Sequence, residues 1–127
     1  MVCIYCSSST NVTNSRLQKR ANQVWRRRHC TSCGANFTTH EVVDLGSAIA
    51  VQRSSKDIQP FSRDRLFTSV YDSLKHRRDA LGDATALTLT IIGQLLPHVN
   101  NGRLDRDVIA AVTSAVLERF DMAASTV

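Results

Sequence analysis

The first forty residues contain no Asp or Glu, although they include six Lys and Arg side chains. Residues 41–127 carry ten basic and eleven acidic side chains, so the net charge of +5 comes from the N-terminal third. A cluster of cations with no carboxylates among them attracts phosphates and repels cationic partners. The sequence therefore predicts a polyanion-binding surface that is confined to residues 1–40.

Several other patterns are missing from the chain. It has no glycine-rich phosphate loop, no hydrolytic triad pattern and no paired arrangement of acidic residues, which argues against an enzyme. No apolar run reaches the roughly 18 residues of a membrane helix, and nothing at the N-terminus resembles a secretory signal. Internal repeats are also absent. We therefore expect a cytoplasmic protein that is not an enzyme and does not cross a membrane.

The chain has four cysteines, which form two Cys-x-x-Cys pairs, Cys3/Cys6 and Cys30/Cys33. Each pair has the spacing of a tight turn that brings two thiolates to one metal ion, and two pairs complete a closed zinc site. A closed site leaves no position for substrate, so its role is structural. A segment this polar cannot fold on an apolar core alone, and metal ligation supplies the missing free energy. The sequence predicts a zinc ribbon with one Zn²⁺ per chain.

The alternatives for these cysteines are disulfides and thiol redox chemistry. Structural disulfides belong mainly to secreted proteins, and no secretory signal precedes the first pair. A thioredoxin-like motif lies in a βαβ pattern, and neither pair is surrounded by one. Zinc is therefore the favoured interpretation.

Three arginines, Arg26, Arg27 and Arg28, precede the second cysteine pair and follow Trp25. In a ribbon this segment is a strand leading to the metal, so alternate arginines point to opposite faces. Such a strand can pair with phosphates or place guanidinium groups in a DNA groove. The alternatives are a solvated charge run for the arginines and either base stacking or core packing for Trp25. We predict that the three arginines bind DNA and that Trp25 packs in the ribbon core.

The composition changes near residue 41, where a polar segment gives way to short apolar runs. Residues 42–43 and 48–51 flank the turn-forming residues 44–47, which predicts a β-hairpin. Three helical patterns follow, so we expect an α+β fold. We divide it into a zinc ribbon over residues 1–41 and a mainly helical domain with a short β-hairpin over residues 42–127.

The three helices are predicted from apolar periodicity and capping residues. The first begins after Ser62 as N-cap, and the second spans residues 84–96 between Asp83 and Pro97. The third spans residues 105–120, after a break at 100–102. Each pattern predicts one apolar face that packs in the core.

A weaker pattern precedes the first helix, where residues 51–61 predict a strand, a polar turn and a helix N-terminus. Arg53, Lys56 and Arg65 could converge there. A helix N-terminus and nearby cations both favour phosphate, so the layout suits an anionic ligand. The alternative is that these cations are simply solvated, and spacing alone leaves both open.

Residues 26–41 resemble the signature of the NrdR family, which are bacterial transcriptional repressors of ribonucleotide reductase genes. That signature runs Arg-Arg-Arg-x-Cys-x-x-Cys and then Phe-Thr-Thr-Tyr-Glu, and this chain has His40 in place of the tyrosine. The spacing to Cys3 and Cys6 also matches, and residues 60–66 resemble the family's Pro-Phe-Asp-Arg-Glu-Lys-Leu. The resemblance covers essentially the whole chain.

The resemblance implies a zinc ribbon joined to an ATP-cone, a domain that binds ATP or dATP and changes the oligomer accordingly. It implies zinc binding by the four cysteines, and contacts to paired operator sites in double-stranded DNA by Arg26, Arg27 and Arg28. Arg53 and Arg65 occupy the positions of two nucleotide-binding lysines. The chain departs from the family's Arg-Asp-Gly at residues 54–56, where the glycine is missing and one cation is displaced to Lys56.

Two functions follow from these observations. The first is a nucleotide-responsive homo-oligomeric repressor of reductase genes, associated with the nucleoid in the bacterial cytoplasm. The alternative is a zinc ribbon that docks onto another protein, such as a polymerase or the reductase itself, through the same arginines.

Overall fold

The computed structural model describes residues 1–125, and it describes side chains as far as residue 122. The chain forms two compact units, Met1–Val43 and Asp44–Val127. The assignment of DNA binding to residues 1–41 and of nucleotide binding to 42–127 remains a prediction.

The first unit is a three-stranded antiparallel sheet. Its strands are β1 (Thr10–Gln18), β2 (Gln23–Cys30) and β3 (Asn36–Val42), in the order β1-β2-β3. The central strand β2 contains the arginine triplet and ends at Cys30, as predicted for a strand leading to the metal site. This segment is paired with strands on both sides, with an irregularity in β1 between Val12 and Asn14, opposite Arg28 and Arg27.

The apolar core of this unit is very small. Its buried side chains are Cys3, Cys30 and Phe37, with Ala35 packed against them. So little buried area cannot offset the conformational entropy of some forty ordered residues. The small core is consistent with the prediction that metal ligation supplies part of the folding free energy of the ribbon.

The second unit combines a small sheet with helices. Its elements in chain order are α1 (Leu45–Ala48), β4 (Ala50–Gln52), β5 (Ile58–Pro60), α2 (Arg63–Leu74), α3 (Ala80–Leu95), a 3₁₀ turn (Leu96–His98), β6 (Arg103–Asp105) and α4 (Arg106–Ser125). The sheet order is β5-β4-β6, with β4 antiparallel to β5 and parallel to β6. This confirms the mixed α+β class.

The hairpin predicted around residues 44–47 is wrong. Val42 belongs to β3, where it pairs with Gln23 in the ribbon sheet. Residues 45–48 form a short helical turn, in which the Ala48 N–H donates to the carbonyl of Asp44 at 3.2 Å. The actual hairpin is formed by β4 and β5. Short apolar runs show which residues can form strands, but the choice of partner strand depends on tertiary contacts.

The helices match their predictions more closely. Ser62 caps α2, because its Oγ accepts a hydrogen bond from the Arg65 N–H at 3.1 Å. Helix α3 begins at Ala80, earlier than predicted, because Asp79 and not Asp83 caps it by accepting from the Gly82 N–H. Asp83 instead pairs with Arg77 at 3.1 Å. Helix α4 begins one residue later than predicted and extends beyond the predicted end at residue 120.

The core of the second unit lies between the three long helices and β6. It includes Val70 and Leu74 of α2, Ile91 and Leu95 of α3, and Leu104 of β6, all nearly inaccessible to solvent. These residues of α2 and α3 belong to the apolar faces that periodicity predicted. Strand β6 was not predicted, because three residues are too few to show an alternating pattern.

One helical segment within the described residues, Ala80–His98, is long and apolar enough to cross a membrane by length and composition. The sequence contains no uninterrupted apolar run of sufficient length. This segment meets the criterion through its mean hydropathy of 1.2 instead. Its inner face packs in the core through Ala84, Ile91 and Leu95. Core helices of globular domains meet the same criterion, so the property is weak evidence for a membrane span.

Candidate functional site

The four cysteine sulfurs lie within 4.8 Å of one another. The Sγ atoms of Cys3 and Cys33 are 3.7 Å apart, and those of Cys6 and Cys30 are 3.5 Å apart. Tetrahedral ligation with Zn–S bonds of about 2.3 Å requires sulfurs about 3.8 Å apart, whereas a disulfide requires about 2 Å. All four thiols are free. The residues therefore fit a Zn²⁺ ion with no open position.

The two cysteine pairs are held by the same backbone geometry. In the first, the Ser7 N–H donates to the Cys3 carbonyl at 3.0 Å, and in the second the Gly34 N–H donates to the Cys30 carbonyl at 2.9 Å. Ser7 and Gly34 both have positive φ, 65° and 77°, which turns the chain away after the second cysteine. The matching turns explain why equal spacing produces equivalent ligand pairs.

Two of the four thiols have a shifted pKa, and the two shifts have opposite directions. Hydrogen bonds from the side chain and backbone of Ser8 lower the pKa of Cys6 to about 6. The backbone hydrogen bond of Ala35 lowers the pKa of Cys33, but desolvation and the neighbouring thiols outweigh it and raise this pKa to about 12. A bound divalent cation stabilises the thiolate form and therefore lowers the pKa of each thiol that ligates it. The thiolate is the form of cysteine that binds the metal, so zinc binding releases protons from this cluster and weakens as the pH falls.

The three arginines of β2 lie on two faces of the sheet. Arg28 is paired with Phe37, whose side chain is buried beside the cysteines, so Arg28 and Arg26 lie on the zinc face. Arg27 is paired with Thr38 and lies on the opposite face, which we call the outer face. The predicted alternation of the triplet is confirmed.

The arginines also differ in their contacts. Arg27 is exposed, and its guanidinium donates to Thr38 Oγ1 at 3.2 Å. Arg28 is half-buried, donates to Thr10 Oγ1 at 3.3 Å, and has a buried Nε without a partner in the described residues. Arg26 lies 3.7 Å from the carboxylate of Glu41. Arg27 is thus the member of the triplet that is most available to a partner.

The outer face carries more cationic and aromatic groups than the triplet alone. Trp25 lies beside Arg27 there and is flanked by Arg16 on β1 and His40 on β3. The Arg16 guanidinium lies 5.9 Å from the centroid of the Trp25 ring, a cation–π contact. The prediction that Trp25 packs in the ribbon core is wrong, because the core consists of Cys3, Cys30, Phe37 and Ala35.

A cavity of about 440 Å³ in the second unit lies between the β4–β5 hairpin, α2 and α4. Two of the three residues predicted to bind nucleotide, Arg53 and Arg65, line this cavity. Lys56 does not line it, and lies in a turn where its N–H donates to Ser54 Oγ at 3.4 Å. The structure therefore brings two of the three predicted cations together.

Sequence reasoning missed the contribution of α4 to this cavity. Arg106, Thr113 and Ser114 line it from α4, opposite Ser69 and Ser73 of α2. Arg106 directly follows β6, and the parallel pairing of β6 with β4 carries it to the cavity. A cation at the start of the third helical pattern was the only available signal.

Comparison with known proteins gives consistent matches. A family model described as "Transcriptional repressor NrdR-like, N-terminal domain" matches residues 1–41. Proteins named "Transcriptional repressor NrdR" from Psychrobacter cryohalolentis and Psychrobacter arcticus are 42% and 31% identical, over 95% of this chain and 79% of each relative. A protein of the same name from Nitrosomonas eutropha is 32% identical over 76% of this chain, and the match spans 60% of that relative.

Proposed function

The chain belongs to the NrdR family of transcriptional repressors, and on this premise we propose that it is a nucleotide-responsive repressor of ribonucleotide reductase genes. The observation that carries the proposal is the cationic outer face of a sheet whose central strand ends in the zinc site. We further propose that it acts in the bacterial cytoplasm, in association with the nucleoid.

The ribbon has the charge and shape that DNA binding requires. Arg16 and Arg27 are exposed on the outer face, and Lys19 and Arg20 are exposed at the turn between β1 and β2. Residues 1–40 contain no carboxylate to repel phosphates. One small basic ribbon binds DNA weakly and with strong salt dependence, whereas two ribbons joined in one assembly gain from effective concentration. We therefore assign operator binding to the ribbon. We assign control of the affinity for the operator to the assembly of protomers into an oligomer.

The cavity of the second unit is the proposed nucleotide site. Its volume lies in the range of small-molecule sites, and Arg53 and Arg65 supply positive charge for phosphates. Phe61 and Leu66 supply apolar contact for a base. The nucleotide acts as an effector and not as a substrate, because no carboxylate or histidine among the described residues lines the cavity to serve as a base. Stoichiometric turnover of ATP would contradict this assignment.

Nucleotide dependence can be tested on the zinc-loaded chain. We expect protection of a reductase promoter in footprinting to differ by at least about tenfold between ATP and dATP, a coupling free energy of about 1.4 kcal/mol. DNA of the same length and unrelated sequence is the control. Equal and sequence-independent binding with ATP, with dATP and without nucleotide would contradict the proposal.

One observation favours the alternative of a protein-docking ribbon. Met1, Val2, Ile4 and Tyr5 around the first cysteine pair are all more than half exposed. Exposed apolar groups at one end of a domain are typical of protein contacts. Under this alternative the arginine triplet meets an acidic protein surface, and its loss leaves DNA affinity unchanged.

We propose that a face of α3 joins protomers into the oligomer. Leu81 and Leu89 of α3 and Leu96 of the following 3₁₀ turn are 63%, 48% and 40% exposed. Helical spacing places them within about 80° of one another around the axis. Such a row of leucines in water is more often an interface than a free surface. This face adjoins the one that packs Ile91 and Leu95 in the core.

Substitution of Leu89 by Glu should therefore shift the protein to a smaller oligomer, because it introduces a charge into the proposed apolar interface. Sedimentation velocity with ATP and with dATP measures the result. Gln94→Glu is the matched control, since Gln94 is exposed on another side of α3 and the added charge is the same. An unchanged distribution of species for Leu89→Glu would exclude this face.

A further inference from the structure

Two arginines of the second unit leave the small sheet side by side. Gln52 of β4 pairs with Asp105 of β6, and the parallel arrangement means that Arg53 and Arg106 directly follow this pair. Both arginines line the cavity between the hairpin, α2 and α4. The strand pairing, rather than the sequence separation of 53 and 106, brings them to the same edge.

Arg65 reaches the same cavity from α2. Its guanidinium donates to Gln59 Oε1 at 3.2 Å, and Gln59 is paired with Val51 on the neighbouring strand β4. None of these three arginines has an ion-pair partner among the described residues, and no carboxylate lines the cavity there. Asp105 and Asp107 flank Arg106 in the chain but do not line the cavity. Uncompensated guanidinium groups around one concave site favour a polyanion.

The cavity also has an unsatisfied polar group. Thr113 Oγ1 is buried and has no hydrogen-bond partner in the described part of the chain. Thr113 lines the cavity two helical turns after Arg106, with Ile109 and Ala110 between them on the same side of α4. Buried hydroxyls are normally hydrogen-bonded, so this one is available to a group bound in the cavity. The hydroxyl of Thr88 also has no partner in the described residues, but it does not line the cavity.

From these observations we propose that Arg106 binds the phosphates of the nucleotide together with Arg53 and Arg65. The nucleoside extends along α4 to the hydroxyl of Thr113. The inference rests on the proposed nucleotide site and adds to it a residue and an orientation. Its consequence is that a bound nucleotide ties the first turn of α4 to the β4–β5 hairpin.

Substitution of Arg106 by Gln tests this assignment. We expect the dissociation constant of ATP, measured by calorimetry on the zinc-loaded chain, to rise by at least about tenfold, as for loss of a hydrogen bond to a charged group. Inorganic triphosphate should displace ATP from the parent protein and much less effectively from the variant. Arg119→Gln is the control, because Arg119 is exposed on α4 and does not line the cavity. Circular dichroism confirms that both variants are folded.

Thr113→Val tests the orientation separately. It should weaken binding of ATP but leave binding of inorganic triphosphate unchanged, because only the nucleoside reaches the hydroxyl. If Arg106→Gln and Arg119→Gln both bind ATP as the parent protein does, the role of Arg106 is refuted and the nucleotide site stands. If the parent protein binds neither ATP nor dATP, the proposed effector function itself fails.

Discussion

Removal of zinc should unfold residues 1–43 and abolish DNA binding, while the second unit keeps its helical signal. The ribbon buries only Cys3, Cys30 and Phe37, whereas structural zinc contributes about 10–16 kcal/mol in small ribbon-like domains. Chelation, or the substitution Cys30→Ser, removes most of this free energy. Two-dimensional NMR of the amide groups should show that the ribbon resonances collapse to random-coil positions and that the others persist.

Ser32→Ala is the matched control for the zinc prediction. Ser32 is exposed between Cys30 and Cys33 and is not a ligand, so its loss should leave metal content and fold unchanged. Elemental analysis should find one zinc per folded chain. A metal-free protein with native ribbon resonances, or a DNA-binding form with the cysteines oxidised to one another, would refute the role of the metal.

Replacement of Arg26, Arg27 and Arg28 by Ala should weaken operator binding at about 0.15 M salt by at least about 100-fold. Each phosphate contact that is lost should also reduce the slope of log affinity against log salt by about 1. Fluorescence anisotropy over a salt series measures both quantities. Among the single variants, Arg27→Ala should cause the largest loss of DNA affinity for a given loss of folding stability, because Arg27 is exposed on the outer face.

A charge-matched control separates specific contacts from the net charge. Arg63, Lys75 and Arg78 are exposed on the second unit, and their replacement by Ala removes the same three charges. This control should lower affinity only slightly. If the ribbon variant and the control bind DNA equally well, the ribbon does not carry the DNA contact and docking to an acidic protein becomes the better explanation.

Much of the zinc site could be predicted because its determinants are local. The spacing within Cys3/Cys6 and within Cys30/Cys33 fixes two equivalent turns, and the arginine triplet lies in the strand that enters one of them. Ser62 was identifiable as an N-cap because its hydrogen bond joins residues three apart. In each case the interaction that forms the structure lies within a few residues of the signal.

Two of the errors concern contacts between distant segments, and a third is local. Arg106 reaches the cavity through the pairing of β6 with β4, and no local pattern encodes that pairing. Trp25 was expected inside the ribbon because apolar rings are usually buried, but the strand register places it on the outer face beside Arg16. Asp79 caps α3 and Asp83 pairs with Arg77, and the presence of an acidic residue near the helix start did not distinguish these two roles.

Helix α3 and the turn that follows it carry an exposed apolar strip beside the side that packs in the core, and in the proposed oligomer this strip limits what an effector is able to control. The core-facing side is buried within the protomer, while Leu81, Leu89 and Leu96 are exposed to solvent in the single chain. If a second copy covers them, as we propose, the apolar contribution to self-association does not depend on the nucleotide. In that case a nucleotide bound elsewhere in the unit does not have to form or dissolve the oligomer. It has only to favour one arrangement of the protomers over another, and this arrangement sets the distance between their ribbons.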